Sequence, residues 1–376
     1  MIYETMIYFL SFVFIIAIPI FLHELGHFMA ARSVGIRIEK FYIGFNFFGL
    51  GLKKKYKDTE YGIGLFPLGG YVKASGILDE SLDENIETEK KDYEFRSKNV
   101  FQKLWFLSAG VIMNFILSIF IYTCIFYSDG AQEFIDKPII GGIQDEVMTF
   151  DDNQDLIPVK APAKALGLKK GDEILTINGY KINSWTDIGE IVSINQESLA
   201  HITWKRENKF YDGETYILSS PIPQGFSIEK RGVLGIIASS NHMDLTILQS
   251  IEKSVSTTYS IVKGTFYGFI GLISGNLPLK YMTGIVGIAN IAGETAQQDQ
   301  ALLNLFFLMA FISANLGLLN ILPIPGLDGG HAAIAIIEGV IRRDLPINIK
   351  YGIQFIGFIL IMFLFLMTIY NDIVGL

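Results

Sequence analysis

His23 and His27 stand four residues apart in the stretch HELGH, with Glu24 between them. Positions i and i+4 of a helix share a face, so the two imidazoles can reach one metal ion. Glu24 can then take a proton from a water molecule held there. The stretch directly follows an uncharged run, Thr5 to Leu22. An ionisable group at membrane depth costs several kcal/mol unless it is paired or ligated, so three of them together point to chemistry rather than decoration.

Zinc held by two histidines needs a third protein ligand and an open fourth position. A candidate lies in NILPIPGLDGGHAA, Asn320 to Ala333, where Asp328 ends the uncharged run Ala301 to Leu327. Pro323 and Pro325 break a helix there, and Gly326, Gly329 and Gly330 permit a close, irregular backbone. Unwound backbone at membrane depth is tolerated only where it is buried in protein or lines a watery cavity. A carboxylate at such a break suits an oxygen ligand. The same position also suits an N-cap for the following helix. His331 is a rival third ligand, with a structural role as its alternative.

The elements that must carry these residues follow from composition. Of 376 residues, 50% are hydrophobic and 18% charged, too apolar for an ordinary soluble enzyme. Four uncharged runs are long enough to cross a hydrocarbon core of roughly 30 Å as helices: Thr5 to Leu22, Leu104 to Ser128, Ala301 to Leu327 and Tyr351 to Asn371. The first lacks a preceding Lys or Arg and an evident cleavage site, unlike a signal peptide. Between the first two runs, from Arg32 to Lys103, lie 13 Lys and Arg residues, and Arg342, Arg343 and Lys350 separate the last two. The positive-inside rule puts both basic loops in the cytoplasm and both termini, with the segment from about 129 to 300, on the outer side. The lone Cys124 allows no disulfide framework, and a net charge of −8 gives no nucleic-acid signal.

Between the runs, YGIGLFPLGGYVKASG (61 to 76) predicts strands with tight turns, and the charged stretch 78 to 98 a solvated loop or helix. The stretch 161 to 188 predicts a short helix, a Gly-Asp turn, a strand, an Asn-Gly hairpin turn at Asn178-Gly179 and a further strand. It resembles a PDZ domain of the circularly permuted bacterial kind, spanning about 129 to 222, whose groove would take an extended peptide as an added strand. From 223 to 300 the pattern is mixed. Residues 244 to 266 predict an amphipathic helix at the membrane surface, and the glycine-rich piece 264 to 279 an interfacial or re-entrant segment. The expected fold is an α-helical polytopic membrane protein with four transmembrane helices, one inserted α+β PDZ domain and a membrane-associated β-loop. Its parts are 1–128, 129–222, 223–300 and 301–376.

The HELGH of a first span, joined with N-x-x-P-x-P-x-L-D-G-G in a later one, resembles the site-2 protease family of intramembrane zinc metalloproteases. FPLGGYVK after the first span, SAGVIMNFILS in the second and the intervening PDZ-like segment are similar to the bacterial regulator-of-sigma-E protease branch. That branch's enterobacterial members have two PDZ domains, and this chain shows one. The resemblance implies His23, His27 and Asp328 as ligands of Zn2+ and Glu24 as catalytic acid/base. It implies Asn320 as a residue holding the substrate backbone, and Gly69, Gly70 and Tyr71 on a β-loop that pairs with unwound substrate. Implied partners are the lipid bilayer, single-span membrane proteins such as an anti-sigma factor or remnant signal peptides, and a peptide C-terminus in the PDZ groove. The implied location is the bacterial inner membrane. Two other classes compete. A metal-binding transporter has no need of Glu24 between the histidines and would show inverted repeats. A PDZ-bearing scaffold without activity has no need to keep the whole HELGH and Asp328 set.

Overall fold

The computed structural model describes residues 2–45, 51–64, 66–77, 91–150, 156–224, 227–276 and 282–374. Most of the charged stretch from 78 to 98 lies outside them. The chain divides into two compact units. The first comprises Met1–Ser128, Thr246–Phe266 and Leu279–Leu376, and the second Asp129–Leu245 with Tyr267–Pro278.

The first unit opens with helix α1, Ile2–Ser33, which carries the uncharged run and HELGH on one continuous helix. The chain then forms β1 (Ile38–Phe45), β2 (Gly51–Tyr56), β3 (Thr59–Gly64) and β4 (Phe66–Ala74) in one sheet of order β2-β3-β1-β4. β1 runs antiparallel to β4, with Phe41 opposite Val72 and Tyr42 opposite Tyr71. Side chains alternate faces along a strand. Phe41 meets Phe21 and Phe28 of α1, so that face of the sheet packs on the helix. Tyr42 and Tyr71 stack on the other face, ring centroids 5.1 Å apart. Helix α2, Val100–Asp129, follows.

The second unit holds β5 (Ala131–Phe134), β6 (Ile140–Ile143), β7 (Glu146–Phe150), β8 (Leu156–Lys160), α3 (Pro162–Leu166), β9 (Glu173–Ile177), β10 (Tyr180–Lys181), α4 (Trp185–Ile194), β11 (Ser198–Arg206), β12 (Lys209–Gln224), β13 (Ser227–Val233), β14 (Ile236–Ala238) and β15 (Ser240–Met243). Its main sheet has the order β10-β9-β11-β12-β13. Ile174, Ile177, Ile202 and Ile217 from that sheet bury against Ile188 and Val192 of α4. Asn178 and Gly179 both have positive φ, as a two-residue primed turn requires. Ser184 and Asp187 cap α4 reciprocally. The boundary expected at 222 falls inside β12. That strand continues to Gln224 and pairs with β13, while β14 and β15 return to β6 and β5, so the unit extends to Leu245.

The chain continues through α5 (Ile247–Ile273), α6 (Ile285–Thr295), α7 (Ala301–Ile321), α8 (Asp328–Ile341) and α9 (Ile347–Val374). The amphipathic piece and the glycine-rich piece as far as Ile273 form one helix, α5, in which Gly264 and Gly268 stand in open space; residues 277–279 lie outside the described residues. Among the described residues four helices are long and apolar enough to cross a membrane: α1, α2, α7 and α9. The third is shorter than its uncharged run and ends at Ile321. Leu322 turns to an extended backbone ahead of Pro323, as a residue before proline prefers. Phe12, Ile15, Ile121, Tyr122, Met309 and Ala310 form the core shared by α1, α2 and α7.

In the second unit, Asp172 is fully buried and accepts two hydrogen bonds of 2.7 Å from Arg206, plus the Lys169 backbone N–H. Asp172→Ala removes this anchor beneath β11. Hydrogen bonds to charged groups contribute about 1.5–3 kcal/mol each, discounted here because Arg206 is partly exposed. Limited proteolysis of the full chain over a temperature series is expected to cut within 129–245 at lower temperature in the variant. An unchanged profile would show the pair to be dispensable.

Candidate active site

His23 and His27 lie one turn apart on α1, both buried. Their Nε2 atoms are 3.1 Å apart. Asp328, the first residue of α8, brings Oδ2 to 3.0 Å from His23 Nε2 and 3.1 Å from His27 Nε2. Three ligand atoms from residues up to 305 positions apart in sequence therefore meet at one point. Among the described residues this is the one group of three His, Cys, Asp or Glu side chains so gathered.

Each supporting element has a local reason. Between α7 and α8, the segment 322–327 folds back on the first turn of α8. A Cβ on Gly329 would lie 2.1 Å from the Leu322 carbonyl oxygen, and one on Gly330 would lie 2.3 Å from that of Ile324. Gly326 has φ +93°, a left-handed backbone that glycine adopts freely. Both prolines and all three glycines thus serve to present Asp328. Its carboxylate also sits in the first turn of a helix, where the dipole favours negative charge.

α2 supports the histidines with residues four apart. Phe106 offers its carbonyl oxygen 2.8 Å from His27 Nδ1. A carbonyl only accepts, so Nδ1 carries a proton, and Nε2 is the nitrogen that faces the cluster and would ligate a metal ion. Gly110 leaves room: a Cβ there would lie 2.6 Å from His23 Cε1 and from His27 Nε2. Asn114, fully buried, has its amide 3.1 Å from His23 Nδ1. Gly26, inside HELGH, lets α2 approach, since a Cβ would meet the Ala109 carbonyl oxygen at 2.5 Å.

Glu24 lies between the histidines and β4. A Cβ on Gly70 would meet its Cγ at 3.2 Å, so β4 approaches Glu24 closely. Gly69 has φ +106°. Tyr71 is turned away from α1, stacked on Tyr42. Asn320 occupies the last turn of α7, outside the hydrogen-bonded cluster. His331 faces Gln354 of α9 at 3.3 Å, so the geometry favours Asp328 over it as third ligand. Phe106, Gly110 and Asn114 were not singled out by the sequence reading. The available signal was a lone asparagine in an uncharged span.

The donor set fits zinc. Ligand atoms around a tetrahedral zinc stand about 3.3–3.6 Å apart, given bonds of about 2.0–2.2 Å. The three atoms here need shifts of only a few tenths of an ångström. Gly110→Ala tests the packing requirement. It should raise intrinsic helix propensity by about 1 kcal/mol, yet weaken zinc binding at least about tenfold through its clash with both rings. Zinc affinity measured by chelator competition, beside helix content by circular dichroism, would separate the two effects. Unchanged affinity would show that the rings can move aside.

Comparison with known proteins adds to this geometry. The family model described as peptidase family M50 matches residues 11–364. A relative from Campylobacter jejuni is 33% identical, with 97% of this chain and 93% of that one covered. The zinc metalloprotease RasP of Geobacillus kaustophilus is 27% identical, with 98% of each chain covered. The regulator of sigma-W protease RasP of Bacillus subtilis is 28% identical, with 97% of each covered.

Proposed function

The chain belongs to peptidase family M50, and from that premise we propose that it cuts peptide bonds within or near the transmembrane segments of single-span membrane proteins. It is a multi-pass membrane protein and a zinc metalloendopeptidase. The observation that carries the reading is the meeting of His23 Nε2, His27 Nε2 and Asp328 Oδ2 within 3.1 Å, with Glu24 beside them. Bound there, zinc supplies Lewis acidity, which polarises a scissile carbonyl and makes water a nucleophile near neutral pH.

The chain's own groups do the rest. Glu24 takes the proton of the attacking water and returns one to the leaving nitrogen. A transmembrane helix hides its peptide bonds, so the substrate must unwind and find strand-like partners in exchange. β4 ends the order β2-β3-β1-β4, and Gly69 and Gly70 allow a backbone to pass close to Glu24. On this reading Asn320, in the last turn of α7, holds the same backbone. Tyr71, stacked on Tyr42, acts on substrate only through the shape of β4.

The unit Asp129–Leu245 acts as a PDZ domain that excludes bulky outer domains or takes a newly made peptide C-terminus. The distribution of Lys and Arg supports a bacterial inner membrane orientation with both termini and this unit outside and the basic loops in the cytoplasm. Substrates are membrane proteins already trimmed outside, of the anti-sigma factor or remnant signal peptide type.

The test uses detergent-purified wild type and Glu24→Gln, each assayed for bound metal and for cleavage of a tagged single-span substrate lacking its outer domain. One zinc per chain in both is expected, with cleavage reduced about a hundredfold or more in the variant. Equal cleavage by both would remove Glu24 from the chemistry. A wild type without metal would leave the scaffold reading in its place.

A further inference from the structure

We propose that Asn114 is a positioning residue for His23: its amide decides which ring nitrogen carries the proton, and it turns over when a metal ion is bound. This rests on reading His23 as a metal ligand. Asn114 is fully buried in α2, and its Nδ2 lies 3.1 Å from His23 Nδ1. Its Oδ1 is buried without a hydrogen-bond partner. Its backbone oxygen accepts from the Ser313 hydroxyl at 2.8 Å, which ties this turn of α2 to α7.

An amide nitrogen donates and does not accept. With Nδ2 against it, His23 Nδ1 is the acceptor, and the ring proton sits on Nε2. There it faces Asp328 Oδ2 at 3.0 Å and His27 Nε2 at 3.1 Å. A proton there bridges His23 to atoms that would otherwise confront its Nε2 as acceptors. A ligating Nε2 has no proton, so metal binding moves it to Nδ1, which then needs an acceptor. Among the described residues, Asn114 is the hydrogen-bond partner of His23 Nδ1. A half-turn of the amide replaces Nδ2 with Oδ1, and no competing hydrogen bond to Oδ1 resists it. The two histidines thus differ in kind. His27 faces a backbone carbonyl that cannot turn, so its Nδ1 keeps a proton and its ring orientation with or without metal. His23 faces a group that serves both states, closing the cluster when metal is absent and opening it when metal arrives.

The experiment compares wild type, Asn114→Leu and Asn114→Asp as purified full chains in detergent. It reads the zinc dissociation constant by chelator competition and the melting temperature of each metal-free protein. Removing an outer hydrogen-bond partner of a ligating histidine typically costs about 10–100-fold in metal affinity, which is the loss expected for the leucine variant. The aspartate variant keeps an oxygen that accepts from Nδ1–H, so its zinc affinity should stay within a few-fold of wild type or exceed it. Its metal-free melting temperature should not show the same recovery, because it offers Nδ1 no donor. If the leucine variant does not accumulate, Asn114→Ala replaces it with the same expectation. Wild-type affinity in the leucine or alanine variant would overturn the proposal, as would an equal loss in the aspartate variant. A wild type that binds no zinc would overturn the metal reading itself.

Discussion

A carboxylate and two imidazoles gathered inside an apolar bundle set the terms for the rest of the first unit. An isolated ionised carboxylate in a medium of low dielectric constant costs tens of kcal/mol, so Asp328 is tolerated there only with its partners at hydrogen-bonding distance or on a metal. That demands ångström register between α1 and α8, two helices with no local connection. α2 provides it from one side: the Phe106 carbonyl, the space at Gly110 and the Asn114 amide repeat every four residues, matching the spacing of His27 and His23 on the antiparallel neighbour. The folded-back segment 322–327 provides it from the other, with glycines where any Cβ would strike a carbonyl oxygen.

How much of this the sequence displayed depends on how local each cause is. HELGH is legible because its spacing is the helix period, and Asp328 because two prolines and three glycines around a carboxylate have few other uses inside an uncharged run. The four spans are legible by composition, and hydropathy overshot only at Ile321, where it could not see that Leu322 to Leu327 are apolar yet not helical. The support from α2 was not legible. It uses a backbone oxygen, an absent side chain and one amide, and acquires meaning only across a helix–helix contact. The end of the second unit was missed for a related reason. β14 and β15 pair with strands about 100 residues earlier, and their three or four residues are too short for alternation to register.

The second unit and the sheet of the first illustrate opposite uses of β-structure. In the second unit β9, β11 and β12 are interior strands, and the core of Ile174, Ile177, Ile202 and Ile217 accounts for their order. In the first unit the strand nearest the cluster, β4, is an edge. Edge strands are normally a liability, because their unpaired N–H and C=O groups invite another chain.

For the function proposed above, the liability is the requirement. Water is scarce at that depth, so a helix that unwinds needs replacement partners for every freed peptide group. β4 carries Gly69, at φ +106°, and Gly70, where a Cβ would lie 3.2 Å from Glu24 Cγ, so the strand passes close to Glu24. On the proposed reading, β4 packs its glycines beside Glu24 of α1, so a peptide paired with the strand is brought to the acid/base group without a separate positioning device. On that reading the selectivity is one of backbone state rather than of side chains. A segment that stays helical offers β4 nothing to pair with, and so presents no carbonyl to the cluster.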